Sequence, residues 1–327
     1  MKKLDFVIAW VDGSDENHRL KRQQFQPENV VKGAAEDTRF AHNDEIYFSI
    51  ASILKYVPYC GTIYIITDHQ QPSFVGEFEA QGLCRSGQIQ VVDHQEIFRN
   101  YQQYLPTFNS LSIESMLWNI KGISNHFIYL NDDFFFNQQS DLSDFLIDGQ
   151  MVIYGHWQAT LIKKMKYIFR KFLQQNFGRV AEAKYSTAQM LSADRVGMTR
   201  YYEIHHRPHI LSRDLLSTYF KNNKELLEQQ IQFKFRNIDQ LLPVGLSNHL
   251  AIQSDQAILK DDIDIAYLKD GRNLEKFILA LSNSEIKFGC IQSLDQLESL
   301  AEGRIRAALI QKFTGFLPSQ IQPTTVV

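Results

Sequence analysis

Short apolar runs alternate along this chain with helical patterns, and each run ends in acidic or polar chemistry. Phe6 to Val11 leads into Asp12-Gly13-Ser14-Asp15, and Gly61 to Ile66 closes on Thr67-Asp68. Ile89 to Val92 closes on Asp93-His94, and His126 to Leu130 on Asn131-Asp132-Asp133. Continuous β-prone runs of this length predict buried strands of a mostly parallel sheet, which is covered on both faces. Between them, Ile46, Ile50, Ile53 and Leu54 share a helical face, with Asn43 or Asp44 as a cap and Glu45 suited to the first turn. Pro58 ends that helix, and a second is expected from about Leu111 to Ile120, carrying Glu114. The expected fold is α/β: a mostly parallel sheet over 1–150, a helical, elaborated second half over 151–317 and a flexible tail over 318–327.

The second half changes character. Thr160 to Val180 carries Lys163, Lys164, Lys166, Arg170, Lys171 and Arg179 without an acid, interleaved with Leu161, Ile162, Met165, Ile168, Phe169, Phe172 and Leu173. One reading is a basic amphipathic helix lying on an anionic membrane or facing a polyanion. The other is a core-packing helix with a lysine-rich outer face. Ile204 to His209 gathers three histidines in one turn, ahead of a helix capped at Ser212; its spacing matches no zinc pattern. Arg236 stands beside aromatics in Phe233-Lys234-Phe235-Arg236-Asn237, and Ile263 to Leu268 and Lys287 to Ile291 look strand-like.

Four strands ending in polar groups point to one cleft, because ligands of open α/β sheets bind outside the carboxyl ends of the strands. Asp132 and Asp133, adjacent in apolar surroundings, are costly without compensation. A diphosphate-bearing Mg²⁺ or Mn²⁺ would supply it; the plain alternative is an Asn-Asp turn. Arg39, beside the helix that starts near Glu45, is suited to a phosphate. Thr107, Asn109 and Ser110 also read as ordinary turn and cap residues. No GxGxxG or GxxxxGK[ST] occurs, which disfavours dinucleotide and P-loop sites. A net charge of −3 argues against a broad nucleic-acid surface. Three scattered cysteines favour a reducing, cytoplasmic setting over a disulfide framework. The N-terminal apolar stretch is too short for a signal peptide, and no run is long enough to span a bilayer.

The ordering of these elements resembles the Stealth family of sugar-1-phosphate transferases. Trp10-Val11-Asp12-Gly13-Ser14-Asp15 resembles its first conserved region. Arg39-Phe40, Asn43-Asp44-Glu45, Ser49, Ser52-Ile53, Tyr56, Pro58, Ile65-Ile66-Thr67-Asp68 and Gln71-Pro72 resemble its second. The third is matched by His94-Gln95-Glu96-Ile97-Phe98, by Leu105 to Ser110 with Ile113-Glu114, and by Phe127 to Asp133. Arg207-Pro208-His209 and Phe235-Arg236-Asn237 resemble its downstream Pro-His and Arg elements, whereas Cys290-Ile291-Gln292-Ser293 departs from its fourth region.

The resemblance implies a nucleotide-sugar transferase fold of GT-A-like, Rossmann-like type. It implies transfer of a hexose- or N-acetylhexosamine-1-phosphate from a UDP-sugar to a hydroxyl of a capsular or cell-surface polysaccharide. A phosphodiester forms, UMP leaves, and the acceptor can be lipid-linked at the inner face of the plasma membrane. Asp132 and Asp133 would hold Mg²⁺ or Mn²⁺. His209 or His94 would act as base, with Arg236, Arg39 and Asp44 also catalytic. Asp12, Gly13, Asn43, Glu45, Thr107, Asn109 and Glu114 would bind substrate. The competing readings are a glycosyltransferase releasing UDP and a non-catalytic carbohydrate-binding component of capsule assembly.

Overall fold

The computed structural model describes residues 3–26, 43–177, 183–292, 294 and 297–321. Its first half runs β1 (Leu4–Ala9), α1 (Glu16–Phe25), α2 (Glu45–Tyr56), β2 (Cys60–Thr67), α3 (Ser73–Ala80), β3 (Ile89–Asp93), α4 (His94–Ile97), α5 (Ser110–Glu114) and β4 (His126–Asn131). Then follow β5 (Phe134–Phe136), β6 (Leu146–Ile147), β7 (Gln150–Tyr154), β8 (His156–Ala159), α6 (Thr160–Phe177), α7 (Tyr185–Arg195), β9 (Arg200–Glu203) and β10 (His209–Ser212). The rest is α8 (Arg213–Asn222), α9 (Lys224–Ile231), α10 (Pro243–Gln253), β11 (Ala257–Lys260), β12 (Ala266–Leu268), α11 (Leu274–Ser282), β13 (Phe288–Ile291) and α12 (Ser299–Lys312).

The four predicted strands form one parallel set. The main sheet has the order β10-β4-β1-β2-β3, with only β10 antiparallel. The chain builds outward from β1 to β3, then returns to lay β4 on the other side of β1. Such a reversal opens a crevice at the carboxyl ends of the two central strands. Ala9 faces Asn131 in register, so the loops carrying Asp12 and Asp132-Asp133 leave the sheet side by side. Both strands are buried on both faces, as continuous apolar runs require.

The second half is woven into the first. β10 extends the main sheet, β13 pairs with β5, and β11 pairs with β7. The phenylalanines of β5 are buried in the hydrophobic cluster that runs from Leu4 to Phe313. Gly289 permits the β5–β13 contact, since a Cβ there would lie 2.1 Å from the Phe135 ring. That contact brings Cys290 to the acid pair.

Three expectations change. The helix expected over 111–120 is α5 followed by a 3₁₀ turn at Leu117–Asn119. The Trp118 indole takes the Ser115 carbonyl (2.9 Å), and the Ser115 hydroxyl bonds back to Leu111 O (2.7 Å), a pattern that weakens helix propagation. Asp44 occupies the cap position of α2 without a capping hydrogen bond; its φ is 63° and its carboxylate pairs with Arg306 at 3.0 Å. Finally, α6 is not a core helix with a lysine-rich outer face. Leu161, Ile162, Met165, Ile168, Phe169, Phe172 and Phe177 are all more than half exposed. Its polar side faces the protein: Lys163 pairs with Glu203, Lys164 with Asp194, and Lys171 and Tyr167 with Asp239. No helix among the described residues is long and apolar enough to cross a membrane.

Candidate active site

Where β4 ends, the backbone turns from the main sheet into β5, and Asp132 and Asp133 occupy that turn. Asp133 is tied down through its backbone, Ile291 N donating to its carbonyl at 2.9 Å. Its Oδ2 receives the Cys290 thiol at 3.5 Å, while its Oδ1 is buried without a hydrogen-bond partner. Burial pushes the Asp133 carboxyl up to about 7, with the charge of Glu45 adding and Arg236 opposing. Asp132 is also raised to about 7, by burial and then by Asp133. Glu45, in the first turn of α2, reaches about 7 through burial and the charge of Asp132. Three half-buried carboxyls repelling one another, one with an orphaned buried oxygen, are a donor set suited to a hard divalent cation.

Arg236 approaches this cluster from the second half. Its Nη2 and Nε donate to Ser110 Oγ at 2.6 and 3.2 Å, and Phe235 stacks on Phe108 with centroids 5.5 Å apart. Asn109 caps α5 at Leu111 N and donates to Phe233 O (3.1 Å) and Gln240 Oε1 (2.8 Å). Thr107 Oγ1 donates to the same carbonyl at 3.4 Å. Both side chains are buried, and these bonds clamp 233–236 onto 107–110, which aims the guanidinium. Glu114 is raised to about 7 because its burial outweighs the pull of Arg236, and its Oε2 has no hydrogen-bond partner.

His209 stands opposite Tyr129 in the β10–β4 register. Burial, then the charges of Arg207 and His206, hold the imidazole well below its usual value, so it is neutral at cellular pH. Its Nε2 is buried with no hydrogen-bond partner. His206 stacks on Tyr185 at 4.7 Å, and Arg207 lies 4.7 Å from the Tyr154 ring centroid.

Other sequence candidates lie apart from this constellation or have different partners. His94 is buried and lowered to about 4; the charges acting on it are Asp68, Asp93, His18 and Lys21. Asp68 is held by Lys21 (2.9 Å) and His69 (3.0 Å), so His94 belongs to a second polar cluster at the ends of β2 and β3. The Asp12 carboxylate accepts from Ser14 N (2.9 Å) and Ser14 Oγ (2.6 Å), closing the turn that contains Gly13. The Asn43 carbonyl accepts from Arg306 Nη2 at 2.7 Å, and Asn43 N donates to Glu45 Oε2 at 2.8 Å. Arg39, Arg179, Val180 and Ser293 lie outside the described residues. Sequence reading missed Arg306, Tyr185, Ser110 as a support for Arg236, and Cys290 as a neighbour of Asp133. Their roles arise from long-range packing, although the departure at Cys290 was a local signal.

The model of the Stealth protein conserved region 2 matches residues 39–153. The chain is 39% identical over 145 residues to the capsular polysaccharide phosphotransferase cps1A of Actinobacillus pleuropneumoniae, a match covering 43% of this chain and 38% of that protein. It is 41% identical over 137 residues to the capsular polysaccharide phosphotransferase LcbA of Neisseria meningitidis, covering 41% and 35%. To the exopolysaccharide phosphotransferase SCO2592 of Streptomyces coelicolor it is 30% identical over 271 residues, covering 82% of this chain and 27% of that protein. The matches thus span 27–38% of these relatives' lengths. Among solved structures, the WbbM bifunctional glycosyltransferase aligns with a TM-score of 0.47 at 9% identity, covering 96% of this chain and 50% of that one. Core-mannan synthase A from Aspergillus fumigatus, in an Mn/GDP form, aligns with a TM-score of 0.41 at 11% identity, covering 79% and 73%.

Proposed function

The chain belongs to the Stealth family, and from that premise we propose that it transfers a sugar-1-phosphate from a UDP-sugar to a sugar hydroxyl of a capsular or cell-surface polysaccharide. The observation that carries this reading is the cluster of Asp132, Asp133 and Glu45 at the switch point, faced by Arg236. Those carboxylates would hold Mg²⁺ or Mn²⁺, which when bound supplies positive charge to the donor diphosphate. His209 Nε2 accepts the proton of the acceptor hydroxyl. The acceptor oxygen bonds to the sugar-bearing phosphorus as the bond to the UMP oxygen breaks. Arg236 holds phosphate oxygens in a two-point grip through this loosely bonded state. The sugar C1–O bond is untouched, so the anomeric configuration is retained.

Residues 1–150 form the donor and metal side in this proposal, and 151–317 the acceptor side. We place α6 on an anionic lipid surface, where a lipid-linked acceptor would be met at the inner face of the plasma membrane. Leu161, Met165, Ile168 and Phe172 follow one another at four-, three- and four-residue intervals and point outward, with Ile162 and Phe169 beside them. The exposed Lys166 flanks this stripe on the side of Ile162 and Phe169, and the described helix contains no acid. Flanking lysines whose stems lie along apolar surface while their ammonium groups reach anionic headgroups characterise interfacial helices. A second copy of the chain would cover the apolar stripe too, but gives no reason for an acid-free helix.

The test of the reaction is a panel of UDP-sugars with Mg²⁺ and an oligosaccharide acceptor. Consumption of one donor with release of UMP supports the proposal. Release of UDP instead identifies a glycosyltransferase, and turnover of none leaves a binding component.

A further inference from the structure

We propose that His156, His205 and Asp262 form a second metal site, of the imidazole–carboxylate kind that takes Zn²⁺, independent of the transfer reaction. One ligand atom from each residue lies within 4.8 Å of the other two. His156 Nδ1 is 2.5 Å from Asp262 Oδ2, and His205 Nε2 is 3.4 Å from Asp262 Oδ1. Tetrahedral zinc, with bonds of about 2.0–2.2 Å, needs ligand atoms roughly 3.3–3.5 Å apart. Partly exposed side chains at these separations can adjust by small rotations. Two imidazoles and one carboxylate favour zinc over Mg²⁺ or Ca²⁺, which prefer all-oxygen shells. The side chains are 40%, 54% and 37% exposed, leaving a fourth position open to water.

Three features make this more than a chance meeting of surface groups. First, the ligands stand on separate segments that the backbone locks together. His156 opens β8 and pairs with Glu203 of β9, His205 follows β9 by two residues, and Asp262 follows β11 by two. Gly155 N donates to Lys260 O at 2.9 Å, and Tyr202 OH donates to the same carbonyl at 2.7 Å. Second, Gly155 allows β8 and β9 to approach this closely, because a Cβ there would lie 2.2 Å from Glu203 O. Third, His156 Nε2 points toward Glu203 Oε2 at 3.7 Å, and Glu203 is held by Tyr201 OH (3.0 Å) and Lys163 (3.4 Å). A ligating histidine that directs its other ring nitrogen to an anchored carboxylate is the usual support of a zinc site. Bound zinc would fasten the β9–β10 connection, which carries Arg207 and leads into β10, to the β11 end.

The test uses the full chain, stripped of metal by chelation and titrated with Zn²⁺ by calorimetry and with Co²⁺ by visible absorption. An Asp132→Asn/Asp133→Asn background removes the other proposed metal site. One equivalent of Zn²⁺ should bind there, and Co²⁺ should give the intense bands of a low-coordinate site. His156→Ala, His205→Ala and Asp262→Asn should each abolish both signals while circular dichroism is unchanged. His69→Ala should leave them intact. Glu203→Gln should weaken binding by about 10–100-fold, the effect of losing an outer-shell partner. Absence of stoichiometric binding, which would leave only histidine–aspartate ion pairs, overturns the proposal, as does binding that survives all three ligand substitutions.

Discussion

The Cys290 thiol lies 3.5 Å from the Asp133 carboxylate and donates to it across the β13–β5 contact. Burial, with Asp133 beside it, holds the thiol proton far above the usual range, so Cys290 acts as a neutral donor. That donation opposes the upward push on Asp133. Cys290→Ala should let the Asp133 carboxyl rise further and move the acid limb of the pH–activity profile to higher pH. Unchanged profiles for the two proteins would show that the thiol does not set the charge of Asp133. In the folded protein, iodoacetamide should label the half-buried Cys84 ahead of Cys290.

Asp132, Asp133 and Glu45 are all raised to about 7. The folded, metal-free protein therefore binds more protons than the unfolded chain from about pH 4 to about pH 7. The stability this contributes is fully present below the unfolded carboxyl values and is lost as pH rises through 7. Metal-free protein should thus melt at a lower temperature at pH 8 than at pH 5.5, and Mg²⁺ or Mn²⁺ should restore most of the difference at pH 8. Asp132→Asn should raise the metal-free melting temperature at pH 8 while abolishing turnover. A lower melting temperature in that variant would mean that the carboxylate is stabilised by partners other than a cation.

The strand ends and the acid pair were legible because they depend on local runs: β-prone apolar stretches stop where Asp12, Asp68, Asp93 and Asp132 begin. What the rest does depends on distant partners. Composition could not say which side of α6 faces outward, since the acids that draw Lys163, Lys164 and Lys171 inward are Glu203, Asp194 and Asp239. The resemblance assigns Thr107 and Asn109 to substrate binding; in the structure their side chains fasten the irregular segment that carries Arg236. The meeting of His156 with Asp262 is not encoded in any local run, because it requires β7, β8, β9 and β11 to be in register.

The outward apolar face of α6 predicts binding to vesicles containing phosphatidylserine and weak binding to phosphatidylcholine alone. Each basic residue near such a surface contributes about 1 kcal/mol and is screened by salt, so binding should fall steeply between low and high ionic strength. Ile168→Asp/Phe169→Asp should abolish sedimentation with vesicles without lowering the melting temperature, because both side chains are already exposed. Equal binding to both vesicle types, or a stable dimer that ignores vesicles and is broken by the same substitutions, would assign the stripe to something other than lipid.

His209 and Arg236 divide the proposed transfer between them, and the two roles leave different kinetic traces. The His209 imidazole is neutral through burial, and its Nε2 has no hydrogen-bond partner. An arriving diphosphate would raise its affinity for a proton, which favours uptake of the acceptor's. His209→Gln should lower kcat by about 10²–10⁴, the usual effect of removing a general base, with a small change in KM for the donor. Arg236 is aimed by Ser110 and by the Phe108–Phe235 stack, so Ser110→Ala should weaken turnover by loosening that aim. Arg236→Lys should remain close to Arg236→Ala, since an ammonium cannot reproduce the planar fork. His94 serves as the control, because its charged neighbours are Asp68 and Asp93 at the ends of β2 and β3 and His18 and Lys21 of α1. If His94→Gln lost the chemical step in single-turnover experiments while His209→Gln kept it, the base would belong to that second cluster and the acceptor would have to approach from the β3 side.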